Sequence, residues 1–183
     1  MTIKVLLING SPRKEGNNSF LLSIAKEKLS NNYELDEVIL QKMQQSACTH
    51  CDACHVDNRN NCVHTDDTNL LMNKVTNAEI LIIATPVYWW AVSAQLKLFI
   101  DKFYSKVDLF QKTEKKLALI TVGGAELDDP QYRIIDQQFE CICKYLNWEY
   151  LFNFNATAYE AQEIAQKDNV INSFIACLDE SFI

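Results

Sequence analysis

The residues best suited to chemistry are concentrated in one polar stretch of the chain, residues 48–64. This stretch holds four of the seven cysteines and all three histidines. The cysteines follow the spacing Cys48-x2-Cys51-x2-Cys54-x7-Cys62. Three thiolates at this spacing could hold three corners of a cubic iron–sulfur cluster, and Cys62 could then close the fourth corner.

Two other interpretations of the same stretch stay open. A zinc ion could be held by Cys48 and Cys51 together with other cysteines or with His50, His55 and His64. That arrangement leaves one of the three closely spaced cysteines without a role. The stretch could equally be a loop of reduced thiols that holds no metal. The spacing alone does not choose among the three.

A second group of polar residues lies between an apolar run near the N-terminus and the helical pattern that follows it. Hydroxyl, guanidinium and backbone N–H groups at a helix N-terminus favour an anion such as a phosphate. The same residues would also suit an ordinary strand-to-helix turn with good capping residues. The chain has four glycines and contains neither GxGxxG nor GxxxxGK[ST], so a classical dinucleotide fingerprint and a nucleoside-triphosphate loop are excluded. The residues of this candidate phosphate loop are Ser11, Arg13, Asn17, Asn18 and Ser19.

A third group is aromatic and follows another buried apolar run. Pro86 and Val87 precede Tyr88, Trp89 and Trp90. Flat aromatic side chains beside free backbone N–H groups suit a planar heteroaromatic ring. Tryptophan and tyrosine are also enriched at subunit interfaces, so an interface is the alternative interpretation of this loop.

The elements that must position these groups can be read from hydrophobic periodicity. Runs of apolar residues predict five strands, and apolar residues at helical spacing predict a helix after each of them. Asn17, Asn18 or Ser19 is expected to cap the first helix, and Ser93 the third. The expected strands are 3–8, 33–40, 79–85, 117–122 and 148–154, and the helical patterns are 21–29, 71–78, 96–103, 135–146 and 164–182.

Strands that alternate with helices predict an α/β fold, a parallel sheet covered on both faces. If the strand order is 2-1-3-4-5, the first and third strands flank the point where the order reverses, and ligands bind beyond the carboxyl ends of such strands. The phosphate loop and the aromatic loop leave those two strands. They are therefore expected to form one site.

Composition narrows the class of protein further. The 183 residues suit one domain, 1–183, with a cysteine-rich insertion at about 41–67. The net charge of −7 and the absence of a Lys/Arg cluster argue against nucleic acid and anionic lipid as partners. No run is apolar and long enough to span a membrane. Cysteines without an export signal indicate a reducing compartment, so a cytoplasmic location is expected.

The segments GSPRKEGNNSFLL and TPVYWWAVSAQLKLFIDKF, with the cysteine loop ending in TDD, resemble the NAD(P)H-dependent FMN reductases of the flavodoxin-like superfamily. That superfamily includes NAD(P)H:quinone reductases, azo reductases and iron–sulfur flavoproteins. The resemblance runs from the first strand to the region of Lys102. It implies a flavodoxin-like three-layer sandwich with a five-stranded parallel sheet, order 2-1-3-4-5, that binds FMN without a covalent bond.

The resemblance also implies roles for individual residues. The phosphate loop would hold the FMN phosphate, although Asn18 stands where the family often has threonine or serine. The third flavin-contacting loop would follow the fourth strand. Cys48, Cys51, Cys54 and Cys62 would be iron–sulfur ligands, as in iron–sulfur flavoproteins. The isoalloxazine would be bordered by Pro86, Val87, Tyr88, Trp89 and Trp90 from the aromatic loop and by Thr121, Gly123 and Gly124 from the third loop.

The activity implied by the resemblance is electron transfer from NADH or NADPH, through FMN, to a quinone, flavin, nitro or azo acceptor. The flavin performs this chemistry, so no catalytic side chain is expected. A homodimer or homotetramer is expected, because a second subunit commonly completes the site in this family. Two alternatives remain: an iron–sulfur flavoprotein that carries electrons between protein partners, and a zinc-containing binding module that is not an enzyme.

Overall fold

The centre of the fold is a parallel five-stranded sheet, seen in a computed structural model that describes residues 2–182. The strand order is β2-β1-β3-β4-β5, which confirms the predicted 2-1-3-4-5 arrangement. The central strands, β1, β3 and β4, form where the sequence is almost continuously apolar, as expected for strands buried on both faces, whereas the edge strand β2 is largely polar. Their bounds are β1 Lys4–Asn9, β2 Glu34–Ile39, β3 Ile80–Pro86, β4 Lys116–Gly123 and β5 Glu149–Thr157.

The helices cover the two faces of this sheet. Their bounds are α1 Asn17–Leu29, α2 Thr68–Asn77, α3 Ala94–Asp101, α4 Val107–Phe110, α5 Pro130–Leu146 and α6 Asp168–Phe182. The short α4 was not expected from the periodicity. Ile164, which was expected in the last helix, lies in a separate 3-10 turn, Glu163–Gln166, and α6 begins at Asp168.

Alternate residues of each strand divide the core into two halves. On β1, Leu6 and Ile8 pack on the side of α2, α3 and α5, whereas Val5 and Leu7 pack on the side of α1 and α6. This alternation follows from the two-residue period of a strand. The result is a three-layer sandwich whose loops emerge at the carboxyl edge of the sheet.

Two close contacts join the carboxyl ends of β1 and β3. The Gly10 N–H donates to the Ala84 carbonyl at 2.8 Å, and a Cβ at position 10 would lie 3.1 Å from that oxygen. The Ser93 hydroxyl donates to the Gly10 carbonyl and accepts from the Leu96 N–H at 3.2 Å, so Ser93 caps α3 as predicted. The loops after β1 and β3 are thereby held side by side.

Within residues 2–182, none of the helices is both long and apolar enough to cross a membrane.

Candidate functional site

A cleft opens at the carboxyl ends of β1, β3 and β4, where the strand order reverses. It contains about 610 Å³ of empty space, which is continuous with open solvent. The loops after all three strands line it, and the loop after β5 closes one side. The lining residues are Ser11, Arg13, Gly16, Asn17, Asn18, Pro86, Val87, Tyr88, Val122, Gly123, Gly124, Ala158 and Tyr159.

The N-terminus of α1 points into this cleft. Its N-cap is Gly16 in an extended conformation, rather than the expected Asn17, Asn18 or Ser19, and no side chain caps it. The first turn carries no acidic residue. The first N–H groups of a helix have no partner inside the helix, and the helix dipole favours negative charge there. The cleft therefore offers an uncapped helix N-terminus to an anion.

Two of the predicted phosphate ligands use their side chains to hold the loop itself. The Asn17 amide donates to the Glu160 carbonyl at 2.8 Å and accepts from the Ile164 N–H at 3.0 Å. The Ser19 hydroxyl accepts from the Asn9 amide at 2.9 Å and donates to the Lys14 carbonyl at 3.3 Å. Asn17 and Ser19 therefore have their backbone N–H groups, and not their side chains, available to a ligand.

Three other side chains of the phosphate loop retain hydrogen-bonding capacity. Ser11 is buried, and its oxygen accepts from the Arg13 N–H at 3.2 Å, which leaves the hydroxyl hydrogen available. Asn18 is 3% exposed, and its Nδ2 has no hydrogen-bond partner among residues 2–182. The Arg13 side chain is exposed at the cleft. Buried donors are normally satisfied, so the unpartnered Asn18 amide fits a ligand oxygen.

The aromatic loop contains a strained two-residue turn. Tyr88 and Ala91 exchange backbone hydrogen bonds of 2.9 and 3.0 Å, and Trp89 and Trp90 between them have φ values of 50° and 59°. Positive φ at both central residues defines a type I′ turn, where Asn and Gly are preferred and bulky residues are strained. The two indoles are 91% and 52% exposed and lie outside the cleft lining, whereas Pro86, Val87 and Tyr88 line it.

The loop after β4 approaches the cleft with no room for a side chain. A Cβ on Gly123 would lie 3.0 Å from Val87 Cγ2 and 2.9 Å from the Tyr132 hydroxyl, which donates to backbone carbonyls, so any side chain here would force its neighbours to shift. Thr121 is completely buried beneath this loop, and its Oγ1 has no partner within the described part of the chain. Of the three residues predicted here, Gly123 and Gly124 line the cleft and Thr121 does not.

Four lining residues were not predicted as ligands. Gly16 and Val122 neighbour predicted positions, whereas Ala158 and Tyr159 follow β5. The Tyr159 ring packs on Gly124, where a Cβ would lie 3.1 Å from Tyr159 Cε1. The position of Tyr159 just after the carboxyl end of a strand was the available signal.

The four clustered cysteines line a second, smaller cavity. Its empty volume is about 350 Å³, and its other wall is formed by residues 101–105. Cys48 and Cys51 are exposed, Cys62 is half-buried, and Cys54 is buried. Burial raises the pKa of Cys54, whereas hydrogen bonds from the Ala53 backbone and the Thr49 side chain lower that of Cys51. The folded loop thus brings together the four thiols named from the spacing.

Hydrogen bonds at its base close this loop. The Gln44 N–H donates to Asp67 Oδ2 at 2.7 Å, and the Asp67 N–H donates back to the Gln44 carbonyl at 2.9 Å. The Ser46 hydroxyl and N–H both donate to Asp66 Oδ2, at 2.5 and 2.8 Å. We call these contacts the loop clasp. They fix both ends of the cysteine loop against each other.

The carboxylate at the centre of the loop clasp titrates abnormally. Burial alone would raise the pKa of Asp66, but hydrogen bonds from Ser46 and Thr68 outweigh it and hold the pKa well below its usual range. His64 Nδ1 lies 2.7 Å from Ser46 Oγ. Since the Ser46 hydrogen goes to Asp66, this imidazole donates to the serine, which is the reverse of a nucleophilic triad. Ser46, His64 and Asp66 therefore hold the loop together and do not form a hydrolytic site.

The cysteine cavity is not arranged for a single metal ion. Among residues 2–182, no three His, Cys, Asp or Glu side chains are grouped closely enough to bind one ion. In a cubic iron–sulfur cluster each of the four thiolates binds a different iron atom, so four thiols around one cavity are compatible with such a cluster.

Comparison with known proteins places this geometry in a family. The family model described as "NADPH-dependent FMN reductase" matches residues 3–133. An iron–sulfur flavoprotein of Archaeoglobus fulgidus is 38% identical over 101 residues, which are 55% of this chain and 45% of the relative. One from Methanocaldococcus jannaschii is 31% identical over 124 residues, which are 67% and 63% of the two chains. This chain therefore matches about half to two thirds of the length of these curated relatives.

The fold itself also recurs in solved structures. The Trp repressor binding protein from Bacillus subtilis superposes with a TM-score of 0.68 at 24% identity, and the match covers 93% of this chain and 96% of the other. A likeness at this level of identity concerns the fold alone.

Proposed function

Because the chain belongs to the family of NADPH-dependent FMN reductases, we propose that it binds FMN in the cleft and oxidises NADH or NADPH. The observation that carries this proposal is the buried, unpartnered Asn18 amide beside the uncapped N-terminus of α1. A phosphate monoester would satisfy both.

The cleft residues fit the two ends of FMN. Ser11, Arg13 and Asn18, with the backbone N–H groups of Asn17 and Ser19, would bind the phosphate. The narrow space at Gly123 and Gly124 and the wall of Pro86, Val87 and Tyr88 would bind the flat ring. Bound FMN would supply the electron transfer between the nicotinamide and an acceptor.

The aromatic loop also limits which backbone groups can contact the ring. The Val87 N–H donates to the Val122 carbonyl at 2.8 Å, and the Tyr88 N–H is used within the turn. The N–H groups of Trp89 and Trp90 have no partner in the described chain, so they are the ones available to developing negative charge.

The exposed face of the cleft suits a planar acceptor. We propose a quinone, free flavin, nitro or azo compound that takes the place of the nicotinamide after the first half-reaction. No side chain needs to act as acid or base in such a cycle. The exposed Trp89 and Trp90 would be covered by a second copy of the chain in a homodimer or homotetramer.

Titration with FMN tests the proposal most directly. The purified chain is expected to quench flavin fluorescence at one site per chain and then to oxidise NADH or NADPH when menadione is supplied. A protein that leaves flavin fluorescence unchanged would contradict the cleft assignment. Binding without turnover would favour an electron carrier.

We further propose that Cys48, Cys51, Cys54 and Cys62 bind an iron–sulfur cluster. The observation that favours it is that the folded loop places all four thiols around one cavity, and the relatives named above are iron–sulfur flavoproteins. Such a cluster would add a one-electron centre to the two-electron flavin. Anaerobic preparation followed by iron, sulfide and zinc assays decides between a cluster, zinc and free thiols.

A further inference from the structure

Two buried lysines contact the cysteine loop, and one of them, Lys102, lines the cysteine cavity. Lys102 and Lys106, in the 3-10 turn Lys102–Lys106, are 2% and 7% exposed. Burial lowers the pKa of Lys106, since it disfavours the charged ammonium. Lysines are among the residues least often fully buried, and burial normally goes with a paired negative charge.

Neither lysine has such a partner in the described part of the chain. Among residues 2–182, eight ion pairs join lysine or histidine to carboxylates within 4.0 Å, and Lys102 and Lys106 occur in none of them. Lys106 Nζ instead donates to Asn61 Oδ1 at 3.0 Å. Lys102 Nζ donates to Cys62 Sγ at 3.8 Å. The printed polar contact of the Lys102 ammonium is therefore with the sulfur of a proposed cluster ligand.

The position of Cys62 beside Lys102 is fixed by a separate contact. The Asn69 side chain accepts from the Cys62 N–H at 2.8 Å and donates to the Cys62 carbonyl at 2.8 Å. Asn69 lies on α2, so the backbone of Cys62 is tied to a regular helix. The lysine-to-sulfur contact is thus built into the fold.

We propose that Lys102 is the counter-charge of the iron–sulfur site and raises its reduction potential. The inference deepens the proposed cluster and rests on it. Reduction of a cluster adds one electron and one negative charge, and a fixed ammonium beside a ligand sulfur stabilises the more negative state. Net charge and hydrogen bonds to sulfur are the factors that set cluster potentials.

The test is a dithionite titration of three anaerobically purified variants, followed by visible absorption and EPR. Lys102→Met keeps the length of the side chain and removes the charge. At fixed solution potential its ratio of reduced to oxidised cluster is expected to fall about tenfold, which is 59 mV for a one-electron couple. Lys102→Arg, which keeps the charge, and Lys112→Met, which removes an exposed one, are expected to match the parent protein.

Each result is decisive. An unchanged potential in Lys102→Met, or the same fall in Lys102→Arg, would overturn the role of the charge while leaving the cluster in place. If Lys102→Met assembles no cluster, rescue of the iron content by arginine supports the counter-charge and failure of rescue contradicts it. If the parent protein contained no iron and no sulfide, the proposed cluster itself would be contradicted. FMN titration tests the cleft independently of that result.

Discussion

The cleft and the cysteine cavity are built in opposite ways. The cleft is assembled from the ends of four strands that are far apart in sequence, and it leaves donors such as the Asn18 amide unsatisfied. The cavity comes mainly from one continuous loop, whose ends are tied by the loop clasp. The first site thus depends on the sheet and the second on local hydrogen bonds. A substitution that disrupts the cleft should therefore leave the cysteine cavity intact, and the reverse should also hold.

The largest expected effect is the loss of one site with the other intact. Cys62→Ala removes a ligand that no neighbouring cysteine replaces, so the iron and sulfide content is expected to fall to background. FMN affinity should stay within about twofold, because the hydrogen bonds of Cys62 in the described chain go to Asn69 and Lys102, which lie outside the cleft lining. Iron assay and flavin fluorescence measure the two effects.

Cys141→Ala is the matched control for this change. Cys141 is an exposed cysteine of α5 that lies outside the cavity lining. Its variant should keep both iron and FMN. Equal loss of FMN and iron in Cys62→Ala would show that the two sites are coupled.

The converse change is Asn18→Ala in the cleft. Loss of an amide that donates to a charged phosphate is expected to weaken FMN binding by about 1.5–3 kcal/mol, roughly tenfold to a hundredfold. Iron content should not change. Ser23→Ala on the same helix is the control, because its hydroxyl donates to the Phe20 carbonyl and faces away from the cleft lining. If Asn18→Ala bound FMN as tightly as the parent protein, the Asn18 amide would not contact the phosphate.

A smaller effect is expected from the loop clasp. Asp66→Asn weakens charge-assisted bonds to Ser46 and Thr68 and is expected to lower the free energy of unfolding by about 2 kcal/mol at pH 7. The folded pKa lies below the unfolded one. The stabilisation is therefore present above the ordinary carboxyl pKa of about 4 and is lost as the pH falls through the folded value.

Urea denaturation of parent and variant at pH 7 and in acid measures this difference. The difference in the free energy of unfolding between parent and variant should become smaller as the pH falls. FMN affinity at pH 7 should be the same in both. A gap that widens in acid would contradict the role of Asp66.

The smallest expected effect runs towards greater stability. Replacing Trp89 by Asn and Trp90 by Gly supplies the residues that a type I′ turn prefers and should raise the free energy of unfolding by about 1 kcal/mol. Turnover with a quinone should fall, because Trp89 directly follows Tyr88, which lines the proposed ring site. A double variant that is no more stable would show that the turn is not strained.

Sequence predicted the sheet well and the site partly. Runs such as 79–85 are apolar on both faces, and this pattern specifies a central parallel strand without reference to the rest of the chain. The cysteine loop was recognised because its four cysteines and three histidines lie within seventeen positions. Local patterns of this kind can be read directly.

The parts that could not be predicted depend on distant partners. The Asn17 amide bonds to Glu160 and Ile164, more than 140 positions away, so its side chain looked available for a phosphate. Positive φ at Trp89 was equally hidden, because tryptophan disfavours that conformation. The burial of Lys102 was also hidden, since lysine is usually exposed.

The positions of the three tryptophans allow ligand binding to be followed by intrinsic fluorescence. Of the three indoles, Trp148 is 5% exposed and donates to the Phe110 carbonyl at 3.0 Å, whereas Trp89 and Trp90 stand in water next to Tyr88 in the cleft wall. The emission spectrum should therefore contain a short-wavelength part from the core and a long-wavelength part from the turn. In a Trp148→Phe variant only Trp89 and Trp90 would fluoresce, so a change in their emission would report ligand binding at the cleft without an added dye.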